Sequence, residues 1–453
     1  MKPTITIVDP VICKADNLCA EEIHKMLSYP TVFWVRGPFG RRRKTGVGSA
    51  FNLRTNTFPT GFLKRIVEHF GSDGIEIKGE LESIKPSVKS PSLKGITLRK
   101  DQIRLIKDAV KHRRGILKAP TGSGKTVVAA GLMSMYPERK VLFLCHTIDL
   151  VKQAADEFKE FGFNRIQVIK GGSEKIIHPK AKIICATIQS FVKMSPVIYA
   201  DWADIILIDE VHHAANKKGQ YATVLNNNLA PIRIGFTATT HGEIEKALAL
   251  EGLIGPVIGE LSIQEGIELG IMATPKITLL NPKFNTSISH SKTYREIYRR
   301  AIVNNRQRNR MIVTEVLKRK ELGFSSLILV KEIAHGDLIK SIFNVLKTDV
   351  KFVQGATDGD VRNDVKKLLN DKHEKIVICT SVWYEGINIP TLNVIVNGCG
   401  GKSEIKTIQV IGRGLRKAEG KDEVEIIDFL DPYKHLSNHS ILRMRTYVEN
   451  GWL

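Results

Sequence analysis

Hydrophobic residues recur along this chain in short, nearly uninterrupted runs that alternate with longer helix-prone segments. From about residue 96, four such runs occur, at 141–145, 182–187, 204–210 and 233–239. Four more follow towards the carboxyl end, at 325–330, 375–380, 393–398 and 423–429. Strand-length apolar runs separated by helices indicate βαβ units, in which helices cover both faces of a parallel sheet. The pattern therefore predicts an α/β protein with two parallel-sheet domains in tandem.

The first part of the chain departs from this pattern and predicts a small accessory α/β domain. Apolar, β-prone stretches such as residues 31–35 alternate there with turn-rich ones. Residues 85–95 carry two prolines and three serines, which is typical of a linker. Residues 270–292 are interpreted as a crossing point between the two larger domains. We therefore expect an accessory domain at 1–93, a first parallel-sheet domain at 94–275 and a second at 276–453.

Composition adds a strongly basic character to an otherwise ordinary globular chain. The 453 residues are 42% hydrophobic and 25% charged, with a net charge of +21 and a pI of about 9.6. A field of that sign attracts a polyanion. The sequence has neither a bilayer-spanning run nor an N-terminal signal segment, so we expect a cytoplasmic protein without a membrane partner. Its six cysteines form no Cys/His cluster, which argues against a zinc site.

A glycine-rich segment, APTGSGKT at 119–126, follows the apolar residues 115–117 and opens a helix-prone run. Strand, loop, lysine, hydroxyl and helix in this order hold a nucleotide triphosphate, because N–H groups of the loop and the helix N-terminus bind phosphates. Lys125 reaches the outer phosphates, and the Thr126 hydroxyl is suited to bind Mg²⁺. The predicted nucleotide-binding residues of this loop are Thr121, Gly122, Ser123, Gly124, Lys125 and Thr126.

An acidic pair in DEVHH follows the apolar run that ends at residue 208. A carboxylate at the carboxyl end of a buried strand points into the ligand crevice of an open α/β sheet. Asp209 is therefore the predicted Mg²⁺ partner. Glu210 is predicted to orient or deprotonate the attacking water, since phosphoryl transfer depends on positioning.

A third group of polar residues lies near the carboxyl end, in QVIGRGLR at 409–416. Arg413 and Arg416 are three residues apart and would share one face of a helix. Arginines from a separate lobe can stabilise the charge of a phosphoryl-transfer transition state. Gln409 falls on the same face and is predicted to hold the attacking water.

In chain order these segments resemble the motifs of superfamily 2 helicases of the DExH type, over roughly residues 96–445. The resemblance implies two RecA-like lobes, ATP and Mg²⁺ as cofactors, an adenine contact from Gln102 and a nucleotide contact from Gly386. Asp101 stands where the family often has an aromatic residue. The further matching segments are LRKDQ at 98–102, CHTIDLVKQ at 145–153, ATIQS at 186–190, TAT at 237–239, VKEIAHGDLI at 330–339 and TSVWYEGINIP at 380–390.

Within the superfamily the chain looks most like the phage UvsW-type helicases, in the neighbourhood of the XPB and RecG groups. That resemblance implies a DNA helicase or translocase that remodels forks and Holliday junctions in recombination, repair or replication. The protein would act as a monomer and would have recombination proteins as partners. A DExH RNA helicase and the translocase subunit of a restriction-type complex remain alternatives. The signatures DEAD and HRxGRxxR, typical of DEAD-type RNA helicases, are not present in this sequence.

Two sets of residues are candidates for nucleic-acid contact. The accessory domain contains FWVRGPFGRRRKTGVGSAFNL at 33–53, which predicts two strands around a glycine-rich, basic turn. Arg41, Arg42 and Arg43 would grip phosphates and Phe39 would wedge against a base pair, although a solvated basic turn is the alternative. The helicase motifs add Thr147, Thr187, Gln189 and Thr380, which are suited to phosphate contacts or, alternatively, to ordinary caps and strand ends.

Overall fold

A computed structural model describes the chain at residues 2–37, 40–239, 242–289, 291, 293–355, 357–371, 373, 375–380, 389–401, 415 and 421–453. The chain forms two compact units. One comprises Met1–Ala119 with Gly124–Leu261, and the other comprises Pro120–Ser123 with Ser262–Leu453. Among the helices described, none is long and apolar enough to cross a bilayer.

The first unit begins with a small four-stranded sheet. Its elements are β1 (Thr4–Ile7), β2 (Ile12–Ala15), α1 (Ala20–Met26), β3 (Ser28–Gly37), β4 (Gly40–Ser49), β5 (Thr57–Pro59), a 3-10 turn (Thr60–Phe62), α2 (Leu63–Phe70) and β6 (Glu76–Lys78). The sheet order is β5-β2-β1-β6, in which β6 runs parallel to β1 and the other pairs are antiparallel. Ile5, Phe58 and Phe62 belong to the buried core of this sheet and its helices.

Strands β3 and β4 form a separate two-stranded hairpin, called the ribbon here, which spans residues 28–49. The two strands are ten residues each and pair without interruption from Ser28↔Ser49 to Gly37↔Gly40. The hairpin predicted from the sequence is thus present. Its basic residues, however, lie within β4 and not in the turn, because the Gly37↔Gly40 pair already closes the ladder ahead of them.

The rest of the first unit is a seven-stranded parallel sheet with helices between its strands. Its elements are α3 (Lys100–His112), β7 (Arg114–Lys118), α4 (Lys125–Ser134), β8 (Val141–Cys145), α5 (Ile148–Glu160), β9 (Ile166–Ile169), β10 (Ile183–Thr187), α6 (Ile188–Phe191), α7 (Pro196–Tyr199), β11 (Ile205–Ile208), a 3-10 turn (Val211–Ala214), α8 (Gln220–Asn226), β12 (Ile232–Thr237), α9 (Ile244–Leu253) and β13 (Val257–Glu260). The sheet order is β13-β7-β12-β11-β8-β10-β9.

Four of the inner strands of this sheet are fully buried, whereas its two edge strands are not. Every residue of β8, β10, β11 and β12 is buried, as expected for strands covered on both faces. These are the four apolar runs recognised in the sequence. The edge strands β9 and β13 have polar or half-buried residues and were not predicted, because their shorter apolar patterns do not stand out from loops.

The small sheet packs directly on α9 of the parallel-sheet part. A Cβ atom at Gly61 would lie 2.1 Å from the carbonyl oxygen of Glu251 and 2.5 Å from that of Gly252, so only glycine fits there. The side chain of Arg65 donates from Nε to Glu251 Oε1 at 2.7 Å beside this contact. Arg114, at the start of β7, donates to the carbonyl of Pro10 at 2.6 Å. The accessory sheet and the first parallel sheet therefore form one closely packed unit.

The second unit contains a six-stranded parallel sheet in the order β14-β19-β18-β15-β17-β16. Its elements are α10 (Ile263–Glu268), β14 (Thr274–Leu280), α11 (Thr286–Ser289), α12 (Tyr294–Tyr298), a π-helical turn (Arg299–Val303), α13 (Arg306–Glu321), β15 (Ser326–Leu329), α14 (Ile333–Val345), β16 (Lys351–Val353), α15 (Gly359–Asn370), β17 (Ile376–Cys379), β18 (Val394–Asn397), β19 (Glu423–Phe429) and α16 (Lys434–Glu449). Strands β15, β17, β18 and β19 are the four runs predicted in this region.

One expectation about the connection needs revision. Residues 270–292 were interpreted as a crossing point, but Thr274–Leu280 of that segment form β14. This strand pairs in parallel with β19 along its whole length, from Thr274↔Glu423 to Leu280↔Phe429. Its apolar residues are only half-buried at the sheet edge, so the hydrophobic pattern is weak there.

Two buried arginines brace the carboxyl ends of strands in the second unit. Arg308 of α13 donates to Asp431 at 2.8 Å and to the carbonyl of Gly398 at 2.9 Å. Arg443 of α16 donates to Asp428 at 2.7 Å and to the carbonyl of Gly401 at 2.7 Å. Because each charge is paired and hydrogen-bonded, removing one partner would leave an uncompensated charge in the core.

The close approach at Gly61 predicts a large effect for a single methyl group. Gly61→Ala would place Cβ against backbone carbonyls that cannot turn away, so we expect a loss of about 1–3 kcal/mol from the free energy of unfolding of the first unit. Urea unfolding of the full chain measures this loss. Gly171→Ala is the matched control, because nothing lies within 4 Å of a Cβ there. Equal midpoints for the two variants would contradict the packing described.

The buried His335 predicts acid sensitivity of the second unit. Its Nε2 lies 2.9 Å from Asn309 Oδ1, and burial, then repulsion from Arg308, lowers the pKa of His335 to about 3. The unfolded chain takes up the proton below its ordinary pKa of roughly 6.5, while the folded chain does not. Stability is therefore fully present above that pH and is lost as the pH falls towards 3.

Because of this single group, we expect the free energy of unfolding to fall by about 2 kcal/mol between pH 7 and pH 5. His335→Gln keeps an amide donor for Asn309 and removes the titration. Urea unfolding at the two pH values should therefore show a smaller loss for the variant than for the wild type. An identical loss in both proteins would show that His335 does not govern this part of the pH profile.

Candidate active site

The glycine-rich loop leads from the end of β7 into α4. Gly122 and Gly124 adopt φ angles of +90° and +88°, which side chains other than glycine rarely tolerate. A Cβ atom at Gly124 would also lie 2.6 Å from Gln102 Nε2. Gly124 is the N-cap of α4, so the loop brings the first backbone N–H groups of a ten-residue helix to its own concave side. This arrangement suits a phosphate chain.

Lys125 and Thr126 are the first two residues of α4. The Lys125 ammonium donates to the carbonyl of Ala119 at 3.3 Å, which folds the side chain back over the loop. The hydroxyl of Thr121 is buried in the same loop and has no hydrogen-bond partner among the residues described. A buried hydroxyl of this kind fits a loop whose polar partner is a ligand.

Asp209 and Glu210 follow β11 at the carboxyl end of the sheet. The Asp209 N–H donates to the carbonyl of Leu144 at 2.9 Å, which extends the ladder of β11 beside β8. Burial, and then repulsion from Glu210, raises the pKa of Asp209 to about 6, although Lys125 opposes this change. Two adjacent carboxylates, one half-buried and one buried, are a donor set that a divalent cation would neutralise.

Glu210 occupies an unusual backbone conformation. Its φ and ψ angles of 48° and 51° are left-handed, which costs a non-glycine residue energy and is typical of functional sites. The residue is buried, and its Oε2 lies 3.4 Å from His212 Nδ1. The following 3-10 turn thus holds the carboxylate in place.

A hydrogen-bonded chain connects this acidic segment with the TAT segment. His212 Nδ1 lies 3.2 Å from Thr237 Oγ1 at the end of β12. The Thr237 hydroxyl in turn donates to the carbonyl of Thr239 at 2.7 Å. His212 and Thr237 were not among the predicted site residues, although both lie inside recognised motifs. Their spacing of 25 residues in the sequence gives no sign that they touch.

Gln102 lies in the first turn of α3, where its Oε1 accepts a hydrogen bond from the Arg99 N–H at 3.1 Å. Arg99 also binds Asp101 with two nitrogens, at 3.0 and 2.9 Å. The carboxylate that replaces the family's aromatic residue is therefore buried in an ion pair. The pair fixes the turn that carries Gln102 next to Gly124. The adenine contact of Gln102 remains a prediction.

Three candidate nucleic-acid residues lie at the carboxyl ends of β8 and β10. Thr147 caps α5 by accepting from the Leu150 N–H at 3.3 Å. Thr187 is buried and donates to Ser190 Oγ at 2.9 Å, while the exposed Gln189 donates to the carbonyl of His146 at 2.9 Å. Thr147 and Thr187 thus have the local roles weighed as alternatives, and Gln189 is the most accessible of the three. Thr380, after β17, is also buried.

The ribbon carries the basic candidates. Arg42 and Arg43 are exposed on β4 and pair with Val35 and Trp34 of β3. Arg41 pairs with Arg36 through its backbone, while its side chain lies outside what the structure describes. The proposed wedge residue Phe39 lies outside the described residues, as do Gly386, Gln409, Arg413 and Arg416.

The base of the ribbon contacts two segments that follow the acidic pair and the TAT segment in the sequence. Lys217, in the loop after the 3-10 turn, donates to the Tyr29 hydroxyl at 2.6 Å and lies 4.2 Å from the centre of its ring. Thr31 donates to Glu245 of α9 at 3.4 Å. These contacts join residues about 200 positions apart in sequence, so spacing could not have revealed them.

Known families match both halves of this architecture. Residues 95–242 match the model described as Type III restriction enzyme, res subunit, and residues 307–418 match the helicase conserved C-terminal domain. Over 379 residues the chain is 28% identical to the ATP-dependent DNA helicase uvsW of Enterobacteria phage T4, covering 76% of this chain and 74% of that protein. The chain belongs to superfamily 2 of the helicases. It is an ATP-dependent helicase of that type.

This helicase is also similar to one further relative and to one solved structure. It is 23% identical over 388 residues to the DNA 3'-5' translocase XPB2 of Sulfurisphaera tokodaii, covering 78% of this chain and 85% of that protein. The structure of Saccharomyces cerevisiae Dbp5 bound to RNA and ADP BeF3 aligns with a TM-score of 0.56 at 18% identity, covering 80% of this chain and 89% of that one. The latter supports the fold alone. The predicted α/β class, with two RecA-like domains and a small N-terminal domain, is confirmed.

The family implies ATP, typically with Mg²⁺, and the residues present fit both. The loop has positive φ angles at Gly122 and Gly124, a Cβ at Gly124 would collide with Gln102, and Thr121 contributes a buried hydroxyl. Lys125 and the α4 N-terminus would hold the phosphates, while Thr126 and Asp209 would hold the cation. A bound magnesium ion supplies charge neutralisation at the phosphate oxygens. These residue roles remain proposals.

Replacing the two central charges should abolish hydrolysis without unfolding the helicase. Lys125→Ala removes a phosphate contact, and Glu210→Gln keeps the shape of the side chain but cannot accept a proton. We expect each to lower kcat for nucleic-acid-stimulated ATP hydrolysis by about 10²–10⁴-fold, measured by phosphate release. Lys111→Ala, on the exposed side of α3, is the control and should retain full activity. Wild-type turnover in both site variants would contradict these roles.

Proposed function

We propose that this helicase is an ATP-dependent DNA helicase or translocase that remodels branched DNA, such as forks and Holliday junctions, in recombination, repair or replication. The observation that carries the proposal is the ribbon. Its 22 residues, 28–49, include five basic residues and no acidic one. A hairpin on the first unit whose charged residues are all basic suits the phosphates of a DNA arm beside the strand on which the motor acts.

The proposed hydrolysis step uses the residues at the end of β11 and in the glycine-rich loop. Glu210 orients the attacking water and takes its proton, and its left-handed backbone fixes the direction of the carboxylate. Lys125 balances charge on the outer phosphates. Gln409, Arg413 and Arg416 are proposed from the sequence to orient water and stabilise transition-state charge, and Gly386 to contact the nucleotide.

The proposed DNA path follows the carboxyl ends of the strands. Thr147 and Gln189 lie together there, since Gln189 binds the carbonyl next to Thr147. Together with Thr187 and Thr380 they would contact phosphates, which position a strand without reading its sequence. Arg41, Arg42 and Arg43 would add phosphate contacts from the ribbon.

The domain boundaries expected from the sequence, 1–93, 94–275 and 276–453, are kept as a proposal for the functional division of the chain. We propose that it acts as a monomer in the cytoplasm, with recombination proteins as partners. Similarity to a phage DNA helicase and to a DNA translocase supports DNA as the substrate. The match to a restriction subunit model keeps a restriction-type translocase as the second candidate.

A substrate panel tests the proposal. ATPase stimulation and strand displacement would be measured with single strand, duplex, fork, Holliday junction, displacement loop and RNA hybrid. We expect the greatest stimulation and displacement with forks and Holliday junctions. Stronger stimulation by RNA would indicate an RNA helicase. Stimulation by plain duplex without displacement would indicate a restriction-type translocase.

The same panel tests the ribbon. Arg42→Ala with Arg43→Ala should weaken fork binding and reduce the slope of log K against log salt by about one for each phosphate that is no longer neutralised. Lys14→Ala with Lys25→Ala is the charge-matched control: Lys14 lies on β2 and Lys25 on α1, and both lysines are exposed. Equal affinities and equal slopes for the two double variants would remove the ribbon from the DNA-binding surface.

A further inference from the structure

The two faces of the ribbon differ, and register assigns each side chain to one of them. Directly opposed residues of an antiparallel pair share a face, and successive residues alternate between faces. The inner face contains Tyr29, Thr31 and Phe33 of β3, opposite Gly48, Gly46 and Lys44. The outer face contains Val32, Trp34 and Arg36, with Thr45 and Arg43 opposite the first two, and Val47 nearer the base.

The aromatic residues of the inner face have structural roles. The Tyr29 ring covers Gly48, where a Cβ would come within 2.7 Å of it, and the Phe33 ring covers Gly46, where the distance would be 2.5 Å. Aromatic rings laid over strand glycines stiffen a ribbon and pin its register. Tyr29 and Thr31 also contact Lys217 and Glu245 of the first parallel-sheet part. The inner face therefore contacts the body of the unit at its base, through Tyr29 and Thr31.

Trp34 has no comparable role on the outer face. Its side chain is 65% exposed, and its neighbours Val32 and Val47 are 42% and 76% exposed. Large apolar side chains gathered on one exposed face are typical of a binding surface. The nearest cross-strand partner of Trp34 is the cationic Arg43, and Arg36 follows two residues along β3. The outer face thus combines one bare aromatic ring with flanking positive charge.

The exposed tryptophan ring and the arginines beside it limit the kinds of ligand that would fit the outer face. An exposed ring on the same face as two arginines suits a polyanion that also offers flat apolar rings, which describes an unpaired segment of nucleic acid. The faces of paired bases are already covered by stacking, so a duplex presents only its phosphates. Unpaired bases occur where arms of a branched substrate meet. The absence of acidic residues from 28–49 disfavours a basic protein surface as the occupant.

We propose that Trp34 is a stacking platform for an unpaired base at the branch point of DNA, with Arg43 and Arg36 holding the adjoining phosphates. The inference rests on the proposed function and names the part of the branched substrate that the ribbon meets. Because the ribbon is stiff and fixed at its base, stacking would cost little conformational entropy.

Binding of a fork with two unpaired arms would be compared with binding of a fully paired duplex containing the same base pairs. Trp34→Ala should weaken fork binding by roughly tenfold, since stacking on an aromatic side chain is worth about 1–3 kcal/mol per base. Duplex binding should stay within about twofold, because phosphate contacts are unchanged. Trp34→Phe should restore most of the fork affinity. Val47→Ala, on the same face, should have no effect on either substrate.

A spectroscopic readout separates stacking from a change in shape. A 2-aminopurine placed next to the branch should lose fluorescence on binding to the wild type and to Trp34→Phe, but not on binding to Trp34→Ala. Fork affinity unchanged by Trp34→Ala, alongside a loss in the Arg42→Ala, Arg43→Ala protein, would overturn this inference and leave the proposed function standing. An equal loss on fork and duplex, or an equal loss in Val47→Ala, would also overturn it. Loss of binding in none of the ribbon variants would count against the proposed role of the ribbon as well.

Discussion

The complete burial of the central strands of the first sheet is the constraint on which the rest of this unit depends. Strands β8, β10, β11 and β12 have no exposed residue, and the one charged side chain along them, Arg233, is buried and donates to backbone carbonyls. The other polar side chains of these segments appear where the strands end, and parallel strands end on the same side. The acidic pair, the TAT segment, Thr147 and Thr187 all lie at that edge for this reason. Chemistry is concentrated there because the interior excludes it.

The sequence pattern alone predicts those parts of the structure that depend on neighbouring residues in the chain. The apolar runs gave the buried strands, and glycine spacing gave the loop whose backbone needs positive φ at Gly122 and Gly124. Edge strands such as β14 escaped notice because half-exposed residues blur the hydrophobic pattern. Pairs such as His212 with Thr237, or Lys217 with Tyr29, depend on how the sheet brings distant segments together. A single sequence contains no record of that proximity.

Departures from a family pattern can also be understood from the contacts. Asp101 replaces a residue that is often aromatic, and the structure gives this carboxylate a partner in Arg99. The ion pair keeps the first turn of α3 in place, so Gln102 still approaches the loop at Gly124. Asp101 thus differs in chemistry from an aromatic residue, and its ion pair with Arg99 still keeps Gln102 in place.

The docking of Gly61 against the backbone at residues 251–252 has a mechanical consequence. The accessory sheet is packed on α9, and the ribbon is tied to Lys217 and Glu245, so both are fixed to the first parallel sheet. A ten-residue antiparallel strand is about 33 Å long. Any rotation of the first unit would therefore sweep the far end of the ribbon through a longer arc than its base. The length of the ribbon thus sets how far its far end would move for a given rotation of the first unit.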